Sequence, residues 1–359
     1  MDHVRRAEET LVGTIVLEPR QLDEVAGWLA PADFGSPACR LLYQRLLDGR
    51  RLGDELGAAG LLERLREHGE LRSDGYPIAA LTGWLDGAPA RPHAAAYAAV
   101  VLEGALGRQV EAAGVRLVQA ASELRPARAL VAAVTQRSVL VAAQRRWGAL
   151  PAAARTAVRT AGAAELVAVR GGPTCRRGSE VGHAELVTVG SVLVAPHLSG
   201  RVRWLEPEDF AAPDLALAFS TAREMSAAGV PVDRVTLAAE LHRRGAVPAA
   251  GQWAVLLARA EAAVPVAGSV GFYGRQVLDA SVVAQVAAAG RCLIGLGRSC
   301  RGGAPVMLGA AIGELDALRG VQQRLRRSRL ATAAPPVRAA EPSTMSRAAA
   351  SQALQRSIG

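Results

Sequence analysis

Chemistry needs titratable, nucleophilic or metal-ligating side chains at usable spacings, and this chain offers few. Six histidines, His3, His68, His93, His183, His197 and His242, are scattered along it. None stands at a metal-ligand spacing from a cysteine or a carboxylate, so they read as surface or helix-end residues. Cys39, Cys175, Cys292 and Cys300 form no CxxC pair, which argues against a zinc site or a disulfide framework and for a reduced, cytoplasmic compartment. Glu8, Glu9, Asp33 and Asp209 are carboxylates that could move protons. No nucleophile or second carboxylate is set beside them, and helix ends and turns use the same residue types; they read as capping groups. All 42 Lys+Arg residues are Arg, so a phosphate loop of the Gly-x-x-x-x-Gly-Lys-Ser/Thr type is impossible. The expectation is no catalytic, cofactor-binding or metal-binding residue, and no small-molecule substrate.

The remaining candidate is electrostatic. The formal net charge is +9, but residues 145–182 carry a net +5 and residues 320–359 a net +6, leaving the rest near −2. The densest run is Arg324-Leu325-Arg326-Arg327-Ser328-Arg329. Arg324, Arg326, Arg327 and Arg329 are candidate phosphate contacts, which would give salt-sensitive DNA binding. Without aromatic residues to stack on bases, such binding would be blind to sequence. The competing reading is a solvated tail or helix end.

These groups sit on a repeated framework. Trp28-Leu29-Ala30-Pro31-Ala32-Asp33-Phe34 recurs as Trp204-Leu205-Glu206-Pro207-Glu208-Asp209-Phe210, 176 residues later. The same offset carries Leu61 to Leu237, Leu65 to Leu241, Gly69 to Gly245, Tyr97 to Tyr273 and Gly114 to Gly290. A repeat this long means two copies of one domain. Trp28, Pro31, Asp33 and Phe34, with Trp204, Pro207, Asp209 and Phe210, are expected to form a structural corner: proline stops a helix, and the aromatic pair pins the turn to the core.

Around the corners the pattern is helical. Leu11, Val12, Ile15 and Val16 share one side of a helix over 8–17, and 21–29 is expected to form a second. Ser36-Pro37 opens a third helix as cap and first turn, with a Gly-rich connection over 49–60. Helices are expected near 61–67 and 77–85, then a long pair over 93–123 and 127–148 folding as an antiparallel hairpin. The second copy repeats this, with a long helix over 273–296 and a return helix over 305–318. Asp233 is placed to cap its helix, whereas the first copy has Gly57-Ala58-Ala59-Gly60 there, so that helix should be the weaker one. The fold class is all-α: a first copy over 5–148, a linker over 149–182 (a short apolar segment at 165–169 aside), a second copy over 183–319, and a basic disordered tail over 320–359. No run of about 18 uncharged apolar residues suggests a membrane span, and the polar start MDHVRRAEET is no signal peptide.

The order Ala-Glu near a helix start, Leu-x-Pro-x-Asp-Phe, a Pro-led apolar helix, then Gly229-Val230-Pro231-Val232-Asp233-Arg234-Val235-Thr236-Leu237 and a helical hairpin resembles the N-terminal domain of DnaB-type replicative helicases. The first copy departs from it at Gly53 to Gly60. The resemblance implies a helical domain without catalytic residues, which in the helicases forms a ring-like collar through its hairpins and binds primase. ATP hydrolysis belongs to a separate domain that this sequence lacks. The implied function is a non-enzymatic replication adaptor that pairs its two hairpins, associates with itself, or binds primase or the replicative helicase. The alternatives are a nucleic-acid-binding protein using the Arg-rich linker and tail, and a collar subunit for an ATPase encoded elsewhere.

Overall fold

A computed structural model describes residues 2–54, 57–70, 78–86, 93–157, 179–245, 252–299 and 302–333. Among them there is no β-strand, and the fold is all-α. The first copy holds α1 (Asp2–Leu17), α2 (Leu22–Val25), α3 (Pro37–Leu52), α4 (Ala58–Glu67), α5 (Ile78–Asp86), α6 (Ala94–Ser122), α7 (Pro126–Gly148) and α8 (Ala152–Ala157). The second holds α9 (Ser179–Val194), α10 (Pro213–Ala227), α11 (Arg234–Arg243), α12 (Gln252–Ala262), α13 (Val270–Ser299) and α14 (Gly303–Ala333). Short 3-10 turns fill the corners at Pro31–Asp33 and Pro207–Asp209.

Local sequence explains the boundaries. Ser36 caps α3 by accepting from the Cys39 amide, and Pro37 occupies the first turn. Leu42, Tyr43 and Leu46 then line its buried face. The helix ends at Gly53, whose φ of +84° suits glycine. The Gly-rich connection over 49–60 is therefore shorter than expected: Gly49 lies inside α3, and α4 starts at Ala58. The helix expected over 21–29 is also cut short. A 3-10 turn at Pro19–Gln21 leads into α2, which ends at Val25. At α11, Asp233 accepts from the Val235 and Thr236 amides at 2.7 and 2.9 Å, and Thr236 Oγ1 accepts from the Asp233 amide at 3.0 Å. Gly57 gives α4 no side-chain cap.

Glycines set the closest helix contacts within each copy. A Cβ on Gly13 would stand 3.0 Å from the Trp84 carbonyl oxygen, and one on Gly190 would overlap that of Ala260. These are matching positions, so α1 on α5 and α9 on α12 are the same contact made twice.

The long helices join the copies. Among the described residues, the largest helix–helix interface lies between α6 and α13, one from each copy, and α7 packs on α14. Gly114 faces Gly290 while Gly107 faces Gly297, so α6 and α13 run antiparallel. Buried apolar residues of both copies form one continuous core. Helix α13 is long and apolar enough to cross a membrane, but half of that stretch is buried inside the molecule, and it serves as a central core helix.

Two boundaries need correction. The basic tail expected from 320 is helical as far as Ala333. Leu318, Val321, Leu325 and Ser328 are buried at helical spacing, and Arg326, Arg327 and Arg329 occupy the other faces. Dense charge hid an apolar stripe. The linker expected from 149 also starts inside structure: Leu150 and Ala154 are buried, and α8 packs on α6. The segment at 165–169, and the tail beyond 333, lie outside the described residues.

Candidate functional site

The repeated corners are latches. In the first copy, Asp33 Oδ2 accepts from the Ala30 amide at 2.7 Å and closes the turn. The same carboxylate faces Arg146 near the end of α7, with Nη1 donating to Oδ1 at 2.7 Å and Nη2 to Oδ2. Arg146 Nη2 also donates to the Trp28 carbonyl oxygen at 3.0 Å. In the second copy, Asp209 Oδ2 accepts from the Glu206 amide at 2.9 Å, and Oδ1 accepts from Ser281 Oγ at 2.7 Å and Arg324 Nη2 at 2.9 Å. Each corner is thus tied to its own return helix by one arginine. Burial pushes the Asp209 carboxyl above its ordinary range, opposed by the Glu206 amide, Arg324 and Ser281. Asp209 and Ser281 are fully buried, so this serine–carboxylate pair is closed to substrate.

Aromatic pairs finish the corners. Phe34 lies 4.8 Å from Tyr43 and Phe210 4.9 Å from Phe219, ring centre to centre, at nearly the same tilt. Trp204 is buried, whereas Trp28 is half-exposed and donates through Nε1 to the Glu24 carbonyl oxygen.

The other candidate acid has the same kind of role. Glu8 is buried and accepts from the Gly35 and Ser36 amides at 2.7 and 2.8 Å. Its counterpart Glu185, which sequence reasoning did not single out as a site, accepts from Ala211 and Ala212 at 2.7 and 3.2 Å. Each carboxylate satisfies from a distance the amides at the entry of a later helix, α3 for Glu8 and α10 for Glu185. Cys39, with its thiol pushed up to about 12 by burial, is a protonated core residue.

Of the four candidate DNA-contacting arginines, Arg324 must be reassigned, because its guanidinium is turned inward onto Asp209. Arg326, Arg327 and Arg329 lie exposed on α14. No group of three or more metal-ligating side chains occurs among the described residues. A cavity of about 130 Å³ beside Ile15, Leu22, Leu46 and Arg50 is smaller than the roughly 300 Å³ at which ligand pockets begin.

What the structure does assemble is an interface between the copies. Arg137 donates to Asp316 through Nε at 2.6 Å and Nη2 at 3.3 Å, which holds the Asp316 carboxyl below its ordinary value. Arg298 Nε donates to Glu111 Oε1 at 2.8 Å. Glu103 on α6 accepts from the Ala304 amide at the start of α14, while burial pushes its carboxyl up. The repeat offset exposed Gly114 and Gly290 in the sequence, but the charged partners belong to one copy each and had no such signal.

A family model described as the DnaB-like helicase N terminal domain matches residues 1–103 and 180–279, once in each copy. No solved structure gives a significant match.

Proposed function

The chain belongs to the DnaB-like helicase N-terminal domain family, which it carries twice, and on that premise we propose that it is a non-enzymatic adaptor of DNA replication. The observation that carries the reading is the pairing of two family domains, hairpin on hairpin, within one polypeptide. In that arrangement the inner faces of α6, α7, α13 and α14 are occupied by one another. The adaptor would therefore meet primase, the replicative helicase or another copy of itself through the outer faces of the hairpins and the two bodies. Having no lysine, the chain cannot form a P-loop of the lysine-bearing kind, and in this reading any ATP turnover belongs to the partner. The test is affinity capture with the tagged full chain in its own host. Recovery of primase or the replicative helicase supports the adaptor; recovery of neither, from a preparation that stays folded, contradicts it.

A second reading, sequence-blind DNA binding, draws on the exposure of Arg326, Arg327 and Arg329. Replacing all three with alanine should flatten the dependence of affinity on salt, since each phosphate contact contributes a slope of about 0.9. An unchanged slope removes this reading for α14.

A further inference from the structure

We propose that the two copies have diverged into complementary halves, so that the hairpin of the first pairs with the hairpin of the second and neither pairs with its own kind. The inference concerns the chain's own pairing and stands apart from the adaptor reading, which partner binding tests separately.

The repeat relation gives the comparison. Gly114 and Gly290 are equivalent and touch, so a pseudo-two-fold axis passes between them. On one side of that axis a Cβ on Gly297 would stand 2.5 Å from the Gly107 carbonyl oxygen. Real Cβ atoms do not approach backbone this closely, so position 297 must stay glycine. The equivalent of Gly297 in the first copy is Ala121, and that of Gly107 in the second is Val283. Two first copies would set Ala121 against Gly107 at both ends of the crossing. Two second copies would set Val283 against Gly297 at both ends. Only unlike copies place glycine on glycine at one end and collect Ala121 and Val283 at the other.

The charges agree. Glu111 holds Arg298 across the interface. Ser122 stands where two first copies would need Arg298, and Ala287 where two second copies would need Glu111. Arg137 holds Asp316. In the register that aligns Arg146 with Arg324, Asp316 corresponds to Ser138 and Arg137 to Leu315, so both like pairings lose this bond as well. Exposed ion pairs contribute little binding energy by themselves; their use is to penalise the wrong partner. Against two first copies close packing supplies the larger discrimination, because the Ala121 Cβ would meet the Gly107 backbone where Gly297 has no Cβ.

The test uses the full chain with Cys175, Cys292 and Cys300 replaced by alanine, cysteine placed at 137 or 316, and a short bis-maleimide as the probe. Both positions are partly exposed, so the substitutions spare the core. With both cysteines (R137C and D316C), the proposal expects a link within the chain, seen as a shifted monomer on a denaturing gel. With R137C or D316C alone, it expects no covalent dimer above the cysteine-depleted background. Covalent dimers from either single variant, or no intrachain link in the double, would overturn it. Charge reversal gives a second reading. Arg137→Asp and Asp316→Arg should each lower the melting temperature, and the two together should recover it; additive losses would also overturn the proposal.

Discussion

Gly114 and Gly290 lie against each other's backbone: a Cβ on the first would stand 2.5 Å from the Gly290 carbonyl oxygen, and one on the second 2.8 Å from that of Gly114. Equivalent residues that meet in this way mark the axis relating the two copies. Alanine at either site must push α6 from α13, and overpacking of this kind costs about 1–3 kcal/mol. Gly295 is the control, because it lies exposed on the same helix with nothing within 4 Å. Gly295→Ala should stabilise by up to about 1 kcal/mol. Urea unfolding of the three variants measures both effects, and equal shifts in all of them would refute close packing at the axis.

The corners should be sensitive to loss of their aromatic rings. Phe34 is fully buried and Phe210 nearly so. Phe34→Ala and Phe210→Ala are each expected to cost about 3–5 kcal/mol. A loss under about 1 kcal/mol at either site, read from chemical unfolding, would contradict the structural corner. Arg324→Ala should also cost about 3 kcal/mol, because it strands a buried Asp209 carboxylate.

Capping separates the two copies. Asp233→Ala removes the carboxylate oxygen that accepts from two amides of α11 and should cost about 1 kcal/mol. Gly57→Asp offers α4 the cap it lacks and should gain a few tenths of a kcal/mol. Hydrogen exchange on α4 and α11 would report both changes, with α4 the less protected helix in the unaltered protein.

Acid should loosen the hairpin interface and the α3–α4 region. Arg137 holds the Asp316 carboxyl below its ordinary 3.8, and Arg45 holds that of Glu70 below its ordinary 4.5. A carboxyl lowered in the folded state contributes stability above its ordinary value, and that stability is lost as pH falls through the folded one. Asp209, raised by burial, acts in the opposite sense and loses stabilisation as pH rises. Melting temperatures should therefore fall on acidification below about pH 4, and Asp316→Asn should reduce that slope. An identical slope in Asp316→Asn would remove the ion pair from the explanation.

Much of the fold was legible because helical periodicity and the repeat are properties of short windows and fixed offsets. The two hairpins appear as long apolar patterns, and Asp233 with Thr236 carries its cap in four residues. The latches were not legible. Asp33 meets Arg146 across 113 positions, and Asp209 meets Arg324 across 115, so only folding brings them together. Arg324 also sits in the run Arg324 to Arg329, where charge density suggested a tail and concealed the stripe of Val321, Leu325 and Ser328. Glu8 looked like a helix-start acid on its own helix, but it serves the entry of α3.

The adaptor reading is tested most directly by titrating the purified full chain into primase and into the replicative helicase of the same host by calorimetry, with ATP turnover by the chain alone followed in parallel. The account predicts a saturable complex with at least one of the two proteins and no turnover by the chain. Absence of binding to both, or ATP hydrolysis by the chain alone, would contradict it.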